Sequence, residues 1–268
     1  MFQNQYDTDV TVWSPQGRLY QVEYAMHAVR QGSACVGFRS KTHVVLAALK
    51  RRTSELATHQ QKVFKIDDHM GIAIAGLTAD ARSLAKYMQT ESLNHKYVFE
   101  TPINVGRLVS DVADKHQACT QSYVRRPYGV GLLVAGVDRS GPHLYETSPS
   151  GNFFEYKGIA IGARAQAAKT YISRIAEEGE NYSGFDDADA ETLILHGIRS
   201  LRGCVQGDQE LTSENVVVSV VGVDTKFRII ENEAILPYME TALGGDAAVA
   251  AAAAAEDADE KEADEDED

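Results

Sequence analysis

Several features that mark whole protein classes are scarce or missing in this chain. There are three cysteines and one tryptophan in 268 residues. Cys35, Cys119 and Cys204 are odd in number and far apart. They form neither a disulfide framework nor a zinc ligand set, and reduced, partly buried thiols are expected. No apolar run approaches the ~18 residues of a membrane span. The opening Met1-Phe2-Gln3-Asn4-Gln5 lacks the cationic and apolar regions of a signal peptide. These absences predict a protein of the cytoplasm and nucleus, in which the sequon Asn181-Tyr182-Ser183 is accidental. A basic excess is missing too. The net charge is −13, and ten acidic residues with one lysine in 256–268 carry −9 of it, which leaves −4 elsewhere. A dedicated nucleic-acid binder would need cations to neutralise phosphates.

The familiar catalytic strings are also absent. The eight histidines form no H-E-x-x-H motif, and there is no phosphate-binding P-loop and no G-x-S-x-G elbow. Gly129-Val130-Gly131 starts a dinucleotide-type string but has Val134 at the last glycine position. It lies inside an expected strand, where glycines serve close backbone approach. Nothing calls for a cofactor or a metal ion.

The apolar periodicities are clear. Leu19, Val22, Met26 and Val29 make one helical stripe, with Arg30 in the last turn and Gly32 just beyond. Strands are expected at 34–39, 43–49, 63–66 and 70–75, then helices at 78–96 and 103–121. Gly129–Val137 and His143–Thr147 read as strands, and 153–161 as a further pair broken at Gly158. Helices at 163–177 and 188–202 precede strands at Val216–Val223 and Phe227–Ile230. Strand runs separated by helix pairs predict an α+β fold, with sheets packed together and helices outside. One domain is expected over 19–238, after an irregular arm at 1–18. The alanine-rich stretch 247–255 and the acidic run that follows place 239–268 in a tail without core residues, expected to be disordered.

Particular blocks carry a family likeness. Tyr6-Asp7, then Val12 to Leu19, then Gln21-Val22-Glu23-Tyr24-Ala25 strongly resemble the N-terminal signature of proteasome α subunits. Gly32-Ser33, Ala75 to Arg82 and Arg126-Pro127-Tyr128-Gly129-Val130 continue the resemblance in family order. The likeness covers about residues 4–238.

The resemblance implies the four-layer αββα sandwich of the Ntn hydrolases. It also implies an assembly in which seven different α subunits form a ring and two such rings cap two β rings. Partners would be six other α subunits, β-ring subunits, and a regulatory particle or ring activators that dock through C-terminal tails; no nucleic acid and no membrane is implied. Proteolysis in this family belongs to the β subunits, whose N-terminal threonine is activated by its own amine. By the same likeness Ser33 occupies the nucleophile position, Leu49 the acidic partner's and Lys62 the lysine's. Ser33 has an amide nitrogen and Leu49 cannot ionise, so the resemblance implies a non-catalytic subunit. Lys62, Gly32 and Leu77 match an activator-tail pocket, in which an ammonium pairs with a terminal carboxylate; the plain alternative for Lys62 is a surface lysine at a strand edge. Tyr6, Asp7, Pro15 and Tyr24 match residues that hold the N-terminal gate arm. Thr8 stands where the family often has arginine. Trp13 is expected to be a packing anchor, and Arg126-Pro127-Tyr128-Gly129 to order the loop before a buried strand. Two other classes are an autonomous hydrolase using Ser33, and an adaptor binding basic partners through 256–268.

Overall fold

The computed structural model describes residues 5–52, 54, 56–177, 184–205 and 210–244. The sequon at 181–183, the alanine-rich stretch and the acidic run lie outside the described residues. The elements in chain order are α1 (Tyr20–Gln31), β1 (Cys35–Arg39), β2 (His43–Leu49), β3 (Val63–Asp67), β4 (Met70–Gly76), α2 (Thr78–Phe99) and α3 (Val105–Thr120). They are followed by β5 (Val130–Asp138), β6 (Gly141–Thr147), β7 (Phe153–Glu155), β8 (Gly158–Ile161), α4 (Ala165–Glu177), α5 (Ala190–Arg202), β9 (Val216–Gly222) and β10 (Thr225–Glu231). A 3-10 turn over Asn232–Ile235 leads into a helical stretch at 236–244, here α6.

Among the described residues, ten strands make two five-stranded sheets, ordered β10-β9-β2-β1-β8 and β3-β4-β5-β6-β7, with every pair antiparallel. Alternation along β2 shows how the layers arise, since successive side chains leave opposite faces of a strand. Val44, Leu46 and Ala48 point into the space between the sheets, beside Ala73, Ala75, Leu133, Ala135 and Leu144. Val45 and Ala47 point the other way, onto Leu193, Ile194 and Ile198 of α5. On the far side, Ile72, Ile74, Leu132 and Val134 face Leu84 and Met88 of α2 and Leu108 and Val112 of α3. These three apolar layers between four structural layers are the expected αββα sandwich.

Helix limits follow local chemistry. Asn104 caps α3, its Oδ1 accepting from the Arg107 amide at 3.2 Å, so this helix starts later than the expected 103. Asp189 caps α5 in the same way, accepting from the Thr192 amide at 2.9 Å. Residues 153–161 hold the expected two strands, divided between the sheets: β7 adds to β6, and β8 crosses to pair with β1, Cys35 opposite Ile161. One expectation needs correction. The packed chain runs past 238, because Met239 and Ala242 of α6 are buried against the α4–α5 layer. Their spacing of three puts both on one helical face. Among the described residues, no helix is long and apolar enough to cross a membrane.

Candidate functional site

The end of α1 brings the expected pocket residues together. Gly32 closes the helix, its amide donating to the Val29 carbonyl at 3.1 Å. Its φ of −64° suits any residue. Glycine is required by space instead, because a Cβ there would stand 2.2 Å from the Gly76 nitrogen. Gly76 has φ +116°, a conformation that favours glycine, and its own Cβ position is 2.2 Å from the Gly129 carbonyl. α1 therefore lies directly on the end of β4, and Leu77, which follows Gly76, is left 49% exposed. Lys62 precedes β3, and its carbonyl accepts from the Ile74 amide at 3.1 Å. Gly32, Lys62 and Leu77 thus converge on one corner of the second sheet.

The Lys62 ammonium is not at the surface, where the plain alternative put it. The residue is 2% exposed, and Nζ donates to the Ser33 carbonyl at 3.2 Å. Burial holds its proton affinity below that of an ordinary lysine; the Cys35 sulfur opposes this and the Arg51 charge adds to it. Cys35 is fully enclosed, its Sγ donating to the Ile74 carbonyl at 3.0 Å, and burial raises the pKa of its thiol. No carboxylate forms an ion pair with Lys62 among the described residues. The result is a buried cation held by a carbonyl and a neutral thiol.

The residues that the resemblance sets at a nucleophile position are not joined into one site. Ser33 is 5% exposed, and its Oγ has no hydrogen-bond partner. Its amide lies inside a continuous backbone between α1 and β1, and Lys62 contacts its carbonyl instead of its hydroxyl. Leu49 ends β2 and supplies no charge. All three cysteines are free and buried. Among the described residues, no group of three or more His, Cys, Asp or Glu side chains is placed to hold a metal ion.

The arm is tied to α1 by two residues one turn apart. Tyr24 Oη donates to Asp7 Oδ2 at 3.1 Å, and Gln21 Nε2 donates to the Asp7 carbonyl. The Tyr20 and Tyr24 rings stack with centroids 6.4 Å apart. The Arg18 guanidinium sits 5.0 Å from the Tyr20 ring centre and also pairs with Glu23. Pro15 serves a different purpose from the Asp7–Tyr24 contact. It opens a turn in which the Gly17 amide donates to the Ser14 carbonyl at 2.9 Å, the position where a fixed φ is useful. Tyr6 is half-buried, and no hydrogen bond of its hydroxyl is seen among the described residues. Trp13 is 63% exposed, so it is no packing anchor within this chain. No anchoring role is legible for Gln21 in the sequence, although its spacing of three from Tyr24 places both on one helical face.

The Arg126-Pro127-Tyr128-Gly129 segment orders its loop as expected. The two terminal nitrogens of the Arg126 guanidinium donate to Asp80 at 2.7 Å, and the Gly129 amide donates to the same carboxylate at 2.9 Å. Arg126 holds the Asp80 carboxyl below the ordinary carboxylate range.

Comparison with known proteins agrees with this geometry. A family model described as "Proteasome subunit" matches residues 29–221, and a model of the N-terminal signature of A-type proteasome subunits matches residues 6–28. The chain is 52% identical over 240 residues to the alpha type-1 proteasome subunit of Dictyostelium discoideum, covering 89% of this chain and 94% of that protein. It is 53% identical over 251 residues to the probable alpha type-6 proteasome subunit of Schizosaccharomyces pombe, covering 94% and 89%. Identity to the alpha type-1 proteasome subunit of Drosophila melanogaster is 47% over 249 residues, covering 92% and 87%. With its α-type signature, two-sheet sandwich and arm tied to α1, the chain belongs to the proteasome subunit family.

Proposed function

We propose that this chain is a non-catalytic structural and gating α subunit of the 20S proteasome core particle, working in the cytoplasm and nucleus. It helps build the outer heptameric ring with six other α subunits, stacks on a β ring, narrows the entry for substrates and presents a docking pocket for activator tails. The observation that carries the non-catalytic reading is the unbroken connection from α1 through Gly32 into Ser33. A nucleophile of this class needs a free amine on its own residue. Here that nitrogen is an amide, and α1 is fastened over it by the Gly32–Gly76 contact. An autonomous hydrolase would have to lose α1 and with it the anchor of the arm. Residues 256–268, on which the adaptor reading rests, lie outside the described residues.

The gate reading rests on the bonds that tie Asp7 to Tyr24 and Gln21. They fix where the arm leaves α1, so that its first residues can be aimed at a pore. The pocket reading rests on the convergence of Gly32, Lys62 and Leu77, and on the ammonium that has no carboxylate. A tail carboxylate reaching Nζ would supply the missing counter-charge, and Leu77 offers an apolar contact beside it.

Native mass spectrometry of the particle purified from its own cells tests the assembly. The intact chain, its N-terminus retained, is expected in a four-ring particle. A chain that appears alone, or that begins at Ser33, overturns the reading. Within such particles, Lys62→Glu is expected to weaken activator stimulation at least tenfold while rings still assemble, and unchanged stimulation removes the pocket assignment. Tyr24→Phe is expected to loosen the arm and raise basal peptide hydrolysis by a few-fold without changing activator affinity.

A further inference from the structure

A cleft of about 170 Å³ opens beside Ser33. Among its lining residues are Ser33, Lys50, Arg51, Arg164 and Asn215, and among the described residues no carboxylate lines it. Lys50 is already neutralised by Glu231 at 3.2 Å. The two arginines are not. Arg51 donates to the Gln31 carbonyl at 3.2 Å and Arg164 to the Val205 carbonyl at 2.7 Å. Neither forms an ion pair with a carboxylate among the described residues.

Further features favour negative charge in the same place. The Ser33 hydroxyl is closed off from bulk solvent and has no hydrogen-bond partner, so its donor is unused. A buried polar group in that state costs free energy until something satisfies it. Arg164 has φ +55°, a backbone conformation uncommon outside glycine, and it directly precedes α4. The first turn of α4 contains no acidic residue, so the positive end of its dipole stands uncompensated at the rim. Behind Ser33, the Lys62 ammonium adds a third positive charge, and the Arg51 charge acts on it unfavourably. Cations gathered without a counter-ion repel one another.

We infer that this cleft is a binding site for a small oxyanion of the size of phosphate. The Arg51 and Arg164 guanidiniums grip it with charge-assisted bonds and the Ser33 hydroxyl donates from the floor. Size sets the class of ligand. The cleft holds the liquid volume of roughly six waters, whereas sites for drug-sized ligands begin near 300 Å³. A phosphate with part of its hydration fits, and a nucleotide does not. The site shares no arginine with the pocket proposed for activator tails, and its test reads phosphate alone, so either assignment can fail without the other.

The experiment is a titration of the full-length chain with inorganic phosphate, followed by calorimetry and by phosphorus NMR line width. One saturable site is expected. Replacing Arg51 or Arg164 by alanine is expected to weaken it roughly tenfold each, and Ser33→Ala several-fold. Arg52→Ala, outside the cleft and facing Glu214 at 3.9 Å, is the control and should leave the affinity within twofold. If an alanine variant fails to fold, Arg51→Lys and Arg164→Lys keep the charge and lose the planar fork, and each should still weaken binding. No saturable binding to the wild-type chain, or an affinity indifferent to both arginines, overturns the site.

Discussion

His116 is wholly buried in the α2–α3 layer, and neither ring nitrogen has a hydrogen-bond partner. Its ring meets Tyr128 edge-on, with centroids 5.2 Å apart. Burial pushes its pKa down to about 4, and the nearby Asp80 carboxylate only partly opposes this. The sign follows from proton counting. Between about pH 4 and the ordinary histidine value near 6.5, the unfolded chain binds a proton that the folded chain refuses. Stability is therefore lost as pH falls through that window, by up to about 3 kcal/mol. Replacing His116 with phenylalanine, a ring of similar size, should flatten the pH dependence of the unfolding free energy between 4 and 6.5. An unchanged slope in denaturant titrations would locate the effect elsewhere. Other single residues show what the sequence could and could not reveal. The internal amide of Ser33 and the uncharged Leu49 were legible as letters, since they depend only on residue type and order. The burial of Lys62 was not, because it depends on a carbonyl twenty-nine residues earlier that the helix end brings alongside. The exposure of Trp13 was hidden for a similar reason. A large aromatic is usually buried, and only the path of the arm shows that this one faces outward.

Among the elements, helices and strands with a strong period were the legible part, and their partners were not. The stripes of α3 and α5 are buried as their spacing predicts, whereas α1 buries Tyr20, Val22 and Ala25, of which only Val22 belongs to the expected stripe. The separation of β7 from β8 was invisible because a short apolar run does not state which sheet it joins. Gly158 lies at the crossing, where a Cβ would stand 2.8 Å from Ile172. α6 was missed because its leading Pro237 reads as a terminator. A proline in the first turn costs a helix no hydrogen bond, and the chain goes on to bury Met239 and Ala242. Met239→Ala should accordingly destabilise the fold by about 2–3 kcal/mol, within the range for truncating a buried methionine, read as a lower midpoint of chemical unfolding. A loss under about half a kcal/mol, the scale of an ordinary surface substitution, would mean that α6 is only loosely docked.

For the whole molecule, the two sheets differ in how far apart their strands lie along the chain. β3 to β7 occupy a single continuous stretch from Val63 to Glu155. The other sheet joins the two ends of the domain: β2 pairs with β9, Ala47 opposite Val218. Pairing across such a separation is slow, because a long loop must close before any contact rewards it. Pulsed hydrogen exchange during refolding should show protection of the β4 and β5 amides before those of β2 and β9. Simultaneous protection of both sheets would argue for a single nucleus spanning the sandwich. During translation the same topology imposes a waiting period. β2 leaves the ribosome early, with one flank paired to β1 and the other bare until residues 216–222 are made. A nascent chain stalled or cut short before Val216 displays that bare flank, Val44 to Ala48, as an open edge ready to recruit any passing strand. The arrangement thus acts as a length check, since a single late strand separates a soluble product from one that betrays its own incompleteness.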